Sequence, residues 1–171
     1  MTALTTVGFN TTPIGAFAPA GVMVLVALML VGASPSGTGG GIKSTSVSAA
    51  LATIRATLRG DQAPTFFGAR VPNARLFAAF ASIAFYLIAF VVGATLLLLV
   101  EGAGFQDLVF EAASALGTVG LSRGATADLT PLGKLVIVAM MFIGRTGPIT
   151  LALALAAGHP EPAEESDDLA V

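Results

Sequence analysis

The chain of 171 residues contains no cysteine, no tryptophan and a single histidine. Without cysteine there are no disulfides and no thiolate metal sites. The one histidine, His159, stands in a polar, proline-flanked stretch and offers no histidine-based metal site. Charge is also scarce. Asp, Glu, Lys and Arg make up 11% of the residues, against roughly 25% in soluble domains. No cofactor, catalytic residue or nucleic-acid partner is expected, and the chain is not expected to be an enzyme.

Apolar residues take the place of charge. They form 55% of the chain, with a mean hydropathy of +0.89, and they are concentrated in uncharged runs at 16–31, 76–100 and 135–144. A helix needs about 20 predominantly apolar residues to cross a bilayer. Residues 75–100 meet that requirement directly, residues 13–31 meet it if the run starts at Pro13, and residues 131–157 meet it if Arg145 is tolerated. The expected class is an all-α integral membrane protein. Pro13 suits a first-turn position, whereas Pro19 should bend that helix or delay its start. A helix-like run at 105–116 is about 18 Å long, too short to span, and reads as re-entrant. Small residues support a further helix at 44–58.

Lys43, Arg55, Arg59, Arg70 and Arg75 face only Asp61 in the stretch between the first two spans. The excess of basic residues predicts that this connection is cytoplasmic. The opposite connection carries Glu101, Asp107, Glu111 and Asp128 with only Arg123 and Lys134. The tail between Glu161 and Asp168 is acidic and is expected on the cytoplasmic side.

Two loops repeat. Thr6, Val7, Gly8, Phe9 and Asn10 form one; Thr118, Val119, Gly120, Leu121 and Ser122 form the other. Each precedes a long apolar run. Glycine has no Cβ to forbid positive φ, and carbonyls arranged by such loops can replace the hydration shell of a potassium ion. A second glycine-rich stretch, residues 32–41, interrupts the apolar pattern and reads either as a flexible linker or as a loop at membrane depth, which is tolerated where it lines a cavity. It is not a nucleotide-binding P-loop, because Ile42 separates the last glycine from Lys43. Arg145 lies inside an apolar helix, where a cation costs about 2.5–3.5 kcal/mol and faces a pathway or a partner. Glu111 reads as a cap or pairing residue or, less readily, an ion ligand. Phe77, Phe80, Phe85 and Phe90 read as lipid-facing or packing residues.

Residues 39–45 (Gly-Gly-Gly-Ile-Lys-Ser-Thr), 110–122 and 141–148 together resemble the Trk/Ktr/HKT-type cation transporters, over about residues 5–155. That family builds one pore from four repeats of membrane helix, re-entrant pore helix, filter loop and membrane helix. The resemblance implies the end of the third repeat (1–60), a cytoplasmic connection (61–74), the fourth repeat (75–157) and an acidic tail (158–171), about one and a half repeats in all. The chain is therefore expected to be a piece of a longer protein. By the same resemblance, the two Thr-Val-Gly loops are selectivity-filter segments holding K+ at backbone carbonyls, and the charge bias faces them toward the outside. Gly37, Thr38, Gly39, Gly40, Gly41 and Lys43 form an intramembrane gate, with Arg145 close to it. The implied function is potassium uptake across the plasma membrane. A sodium-selective or sodium-coupled member, or a piece that conducts only with its missing portion, are the alternatives. The implied partners are membrane lipid, a second membrane subunit in a homodimer and a cytoplasmic nucleotide-binding regulatory subunit.

Overall fold

Prolines and glycines divide the apolar chain into helices at fixed points. The computed structural model describes residues 2–32, 39–60, 64–66 and 69–156. A short 3-10 turn, Ile14–Ala16, precedes α1 (Pro19–Leu30), so the first helix is shorter than the expected run from Pro13. Pro19 is the reason: it lacks an N–H and fits only the first helical turn. The next helix, α2 (Ser44–Arg59), ends on Gly60 in the left-handed conformation (φ 74°), the usual place for glycine after a helix.

The connection that follows contains a small antiparallel hairpin of β1 (Thr65–Phe66) and β2 (Ala69–Arg70), which was not foreseen. Past Pro72 comes α3 (Asn73–Val100), 28 residues and about 42 Å long. Among the described residues it is the one helix long and apolar enough to cross a membrane on its own. The helix α4 (Phe105–Leu116) coincides with the expected short re-entrant run. A four-residue helix α5 (Ala125–Asp128) was not foreseen. The last, α6 (Pro131–Ala156), is not a continuous span, because Gly147 (φ 71°, ψ 169°), followed by Pro148, breaks it.

Packing centres on α4, which touches α1, α3 and α6. From Phe110 to Leu116 every residue of α4 is buried. One side of it joins Tyr86, Leu97, Ile137 and Met140 in a core with α3 and α6. The other side joins Val22, Val26 and Met29 of α1. The outward faces are apolar instead: Phe77, Ile88 and Leu99 of α3 and Leu135, Val138 and Phe142 of α6 are all exposed. Exposed apolar surface on this scale marks contact with lipid or protein rather than water. Phe85 stacks edge-on against Tyr86 and Phe90 packs against both cores, whereas Phe77 and Phe80 are exposed.

Candidate functional site

The second Thr-Val-Gly loop begins where α4 ends. The amides of Gly117, Thr118 and Val119 donate to the carbonyls of Ala113 (2.9 Å), Ala115 (3.1 Å) and Ser114 (2.9 Å). The chain therefore leaves the helix through its carbonyl end, the negative pole of its dipole. Thr118 then adopts φ 53° and Gly120 φ 85°.

The first loop repeats this geometry. Thr6 has φ 54° and Gly8 φ 76°. The Val7 amide donates to the Thr2 carbonyl (3.2 Å), five residues back, as Val119 does to Ser114. A β-branched residue at positive φ is a genuine conformational outlier, and here it occurs at the same position of both loops. Among the described residues, these two threonines are the non-glycine residues with positive φ. The correspondence extends further: each residue of the second loop stands 112 positions after its counterpart, and so does Pro131 after Pro19 and Gly144 after Gly32. The loops also meet. A Cβ on Gly8 would fall onto the Val119 carbonyl oxygen, so the first loop lies backbone-on-backbone against the second.

Glu111 supports the second loop from behind. It is 3% exposed, and its carboxylate accepts from the Ser122 hydroxyl (2.6 Å), the Arg123 amide (2.9 Å) and the Thr126 hydroxyl (2.5 Å). A buried carboxylate is tolerable when donors satisfy it. This assigns Glu111 the capping and pairing role, since its donors are those of the loop and α5. Arg123 adds a strap: its Nε donates to Asp107 (2.6 Å) and its Nη1 to the Ile14 carbonyl (3.2 Å), joining the two halves of the chain.

On the opposite side, the glycine-rich segment docks onto the loop. The Gly40 amide donates to the Thr118 hydroxyl (2.7 Å). The Ile42 amide donates to the Leu30 carbonyl (3.0 Å), and Val31 and Ile42 form a parallel bridge. The chain leaving α1 and the chain entering α2 are thus pinned together beneath Thr118. Lys43 folds back to the Gly39 carbonyl (3.0 Å). Gly37 and Thr38 lie outside the described residues. Close approach of main chains makes this junction: a Cβ on Gly144 would strike the Leu116 carbonyl, and one on Gly117 the Met29 carbonyl. The Tyr86 hydroxyl donates to the Gly144 carbonyl (3.2 Å). Arg145, which follows Gly144, is exposed.

Of the expected site residues, those of the two loops, Gly39, Gly40, Gly41 and the Gly144–Arg145 step of α6 are thus brought into one region. Glu111 takes the first of its two expected roles, whereas Arg123, Tyr86 and the break at Gly147 were missed as parts of the region. The constant spacing of 112 would have paired the loops residue by residue, but no local motif marks Arg123 or Tyr86.

Residues 1–166 match the TrkH family, described as cation transport proteins. The chain is 36% identical over 157 residues to the Ktr system potassium uptake protein B of Vibrio alginolyticus, covering 92% of this chain and 34% of that protein. It is 40% identical over 144 residues to the Ktr system potassium uptake protein D of Bacillus subtilis (strain 168), covering 84% and 32%. The potassium/sodium uptake protein NtpJ of Enterococcus hirae is 34% identical over 140 residues, covering 80% and 31%. The chain spans about a third of the length of these curated relatives. With a match over nearly its whole length, this chain belongs to the TrkH family of cation transport proteins, a family of membrane transporters.

Proposed function

We propose that this chain contributes two of the filter segments of a potassium-conducting pore, with K+ as the transported ion held at the backbone carbonyls of residues 6–10 and 118–122. The observation that carries the reading is the shared backbone of the two loops, with positive φ at Thr6, Gly8, Thr118 and Gly120. Positive φ turns a peptide carbonyl away from the direction that helix or strand would give it, and carbonyl oxygens so directed can stand in for an ion's water shell. The carbonyl end of α4 behind the second loop favours a cation there as well. Relatives named for potassium uptake support the choice of ion, and one named for potassium and sodium keeps a sodium-accepting pore as the second reading.

In this reading the loops face outside, residues 43–75 and the acidic tail face the cytoplasm, and the protein sits in the plasma membrane. The segment from Gly37 to Lys43 obstructs the path beneath the filter and Arg145 raises its barrier. The Gly40–Thr118 hydrogen bond supports that assignment, because it ties the segment directly to a filter residue. A pore of four repeats requires chain beyond these 171 residues, and a second membrane subunit and a cytoplasmic nucleotide-binding regulator complete the assembly. The test is potassium uptake by a potassium-deficient host carrying Gly8→Ser or Gly120→Ser in the intact transporter. Each should lose potassium-over-sodium selectivity. Wild-type growth at low potassium and unchanged sodium permeability in both variants would remove the filter assignment.

A further inference from the structure

A cavity of about 670 Å³ lies away from the two loops, between α2, the hairpin, α3 and the break in α6. Its wall on α3 is formed by Arg75, Ala78, Ala79, Ser82 and Tyr86, one helical face that rises about 16 Å from first to last. The cavity is therefore a slot. Small residues hollow it, with Ala49 facing from α2, whereas the bulky Phe77 and Phe80 of the same helix are exposed. Arg70 and Arg75 line its hairpin end, both exposed, and Lys43 lines the opposite end. Among the described residues, no aspartate or glutamate lines it.

This distribution selects one chemical class. Two guanidinium groups with no competing carboxylate among the described lining residues suit a phosphate, which arginine meets bidentately. A lone phosphate would leave the long apolar wall unfilled. A nucleotide would need its base near the phosphate, yet the aromatic residue in the lining, Tyr86, stands at the far end of the α3 face from Arg75. An acyl chain fits a narrow wall of alanines, and the hairpin end lies just before the start of the membrane-length helix α3, where a headgroup belongs. We propose that this slot binds an anionic phospholipid, with its phosphate at Arg70 and Arg75 and one acyl chain along Ala78, Ala79 and Ser82. The site does not depend on the filter reading, and only the choice of leaflet rests on the orientation proposed above.

Native mass spectrometry of the intact transporter, released from detergent with phosphatidylglycerol or phosphatidylcholine added, tests the site. Phosphatidylglycerol should stay bound at collision energies that strip phosphatidylcholine. Each basic residue near anionic lipid is worth about fivefold in affinity, so the double variant Arg70→Gln/Arg75→Gln should retain phosphatidylglycerol about 30-fold less well. Ser82→Phe should also displace it by filling the slot. If that variant does not elute as a single folded species, the double arginine variant, altered only at exposed positions, still decides. Equal retention of the two lipids would overturn the proposal, as would undiminished phosphatidylglycerol retention by a folded double variant. Displacement of the lipid by millimolar inorganic phosphate would overturn it too, assigning the arginines to a free anion.

Discussion

In the second Thr-Val-Gly loop Val119 and Leu121 are each 3% exposed, while in the first Val7 and Phe9 are 58% and 80% exposed. The backbone signs of the two are nevertheless the same at every compared position. Conformation and support therefore have separate origins. The conformation travels with the short sequence itself, through the turn that precedes it and the glycine within it. The support comes from elements that only the second loop has within the described residues: the buried helix α4, the Glu111 carboxylate and the Gly40 amide on Thr118. If that separation is right, exchanging residues between equivalent positions of the two halves should damage support while leaving the local turn intact.

The largest effect is expected where the halves differ by a side chain that the second cannot hold. Gly117 is the counterpart of Thr5 in the first loop. A Cβ at Gly117 would strike the Met29 carbonyl, which is main chain and cannot rotate away. Gly117→Thr should thus cost more than the 1–3 kcal/mol of ordinary overpacking, and the protein should fail to accumulate in the membrane. Gly102→Ala is the control, with nothing near its position among the described residues. A Gly117→Thr protein with wild-type yield and melting temperature would mean that the loop tolerates either surrounding.

Next comes Glu111→Ala. Three donors lose their acceptor at once; Ser122 is exposed and Arg123 and Thr126 are partly buried, so water replaces part of the loss and each bond costs about 1 kcal/mol net. Hydrogen exchange should accelerate at residues 118–124 and stay unchanged at residues 6–10. Acceleration in both loops alike would show that the carboxylate supports the site as a whole rather than the second loop alone.

Arg145 has its own counterpart, since position 33 carries alanine. Arg145→Ala makes α6 resemble the first half at that step. If Arg145 stands beside the path as proposed, its removal lowers the barrier to a permeating cation by about 1 kcal/mol where water screens the pair at about 4 Å, or about fivefold in flux. Potassium uptake by proteoliposomes measures it. An unchanged rate in a normally inserted variant would make Arg145 a structural anchor.

How far the sequence foretold all this depended on the range of the signal. The helix at Phe105–Leu116 was legible because its length, its preceding glycines and the following Gly117 are local features. The onset of α1 at Pro19 was legible as one of two options, because a proline can bend a helix or begin it. The break at Gly147 was not. A single glycine before a proline in an apolar run is compatible with a kinked but continuous span, and only packing decides. Glu111 was ambiguous for the same reason: its partners Ser122, Arg123 and Thr126 come from a turn whose path no local pattern encodes. The hairpin at Thr65–Phe66 and Ala69–Arg70 is too short for alternation to register.

The smallest and most discriminating effect is expected from one hydroxyl. Thr118 and Thr6 share a backbone conformation, but among the described residues it is Thr118 whose hydroxyl accepts from the glycine-rich segment, through the 2.7 Å bond from the Gly40 amide. Thr118→Val keeps the β-branched shape, so the cost of positive φ is nearly unchanged and the hydroxyl is the main loss. Gly40 is buried, and its amide would then lack its acceptor at about 1–3 kcal/mol. Part of that cost is relieved if the 39–42 segment moves away from the loop, where the amide can find water. Opening of the segment should therefore become easier, and resting potassium flux should rise without loss of protein. Thr6→Val makes the same chemical change in the same backbone and should leave flux near wild type. A rise in both variants, or in neither, would break the link between the hydroxyl and the segment. A rise confined to Thr118→Val would locate the coupling between the loop and the glycine-rich segment at a single oxygen atom.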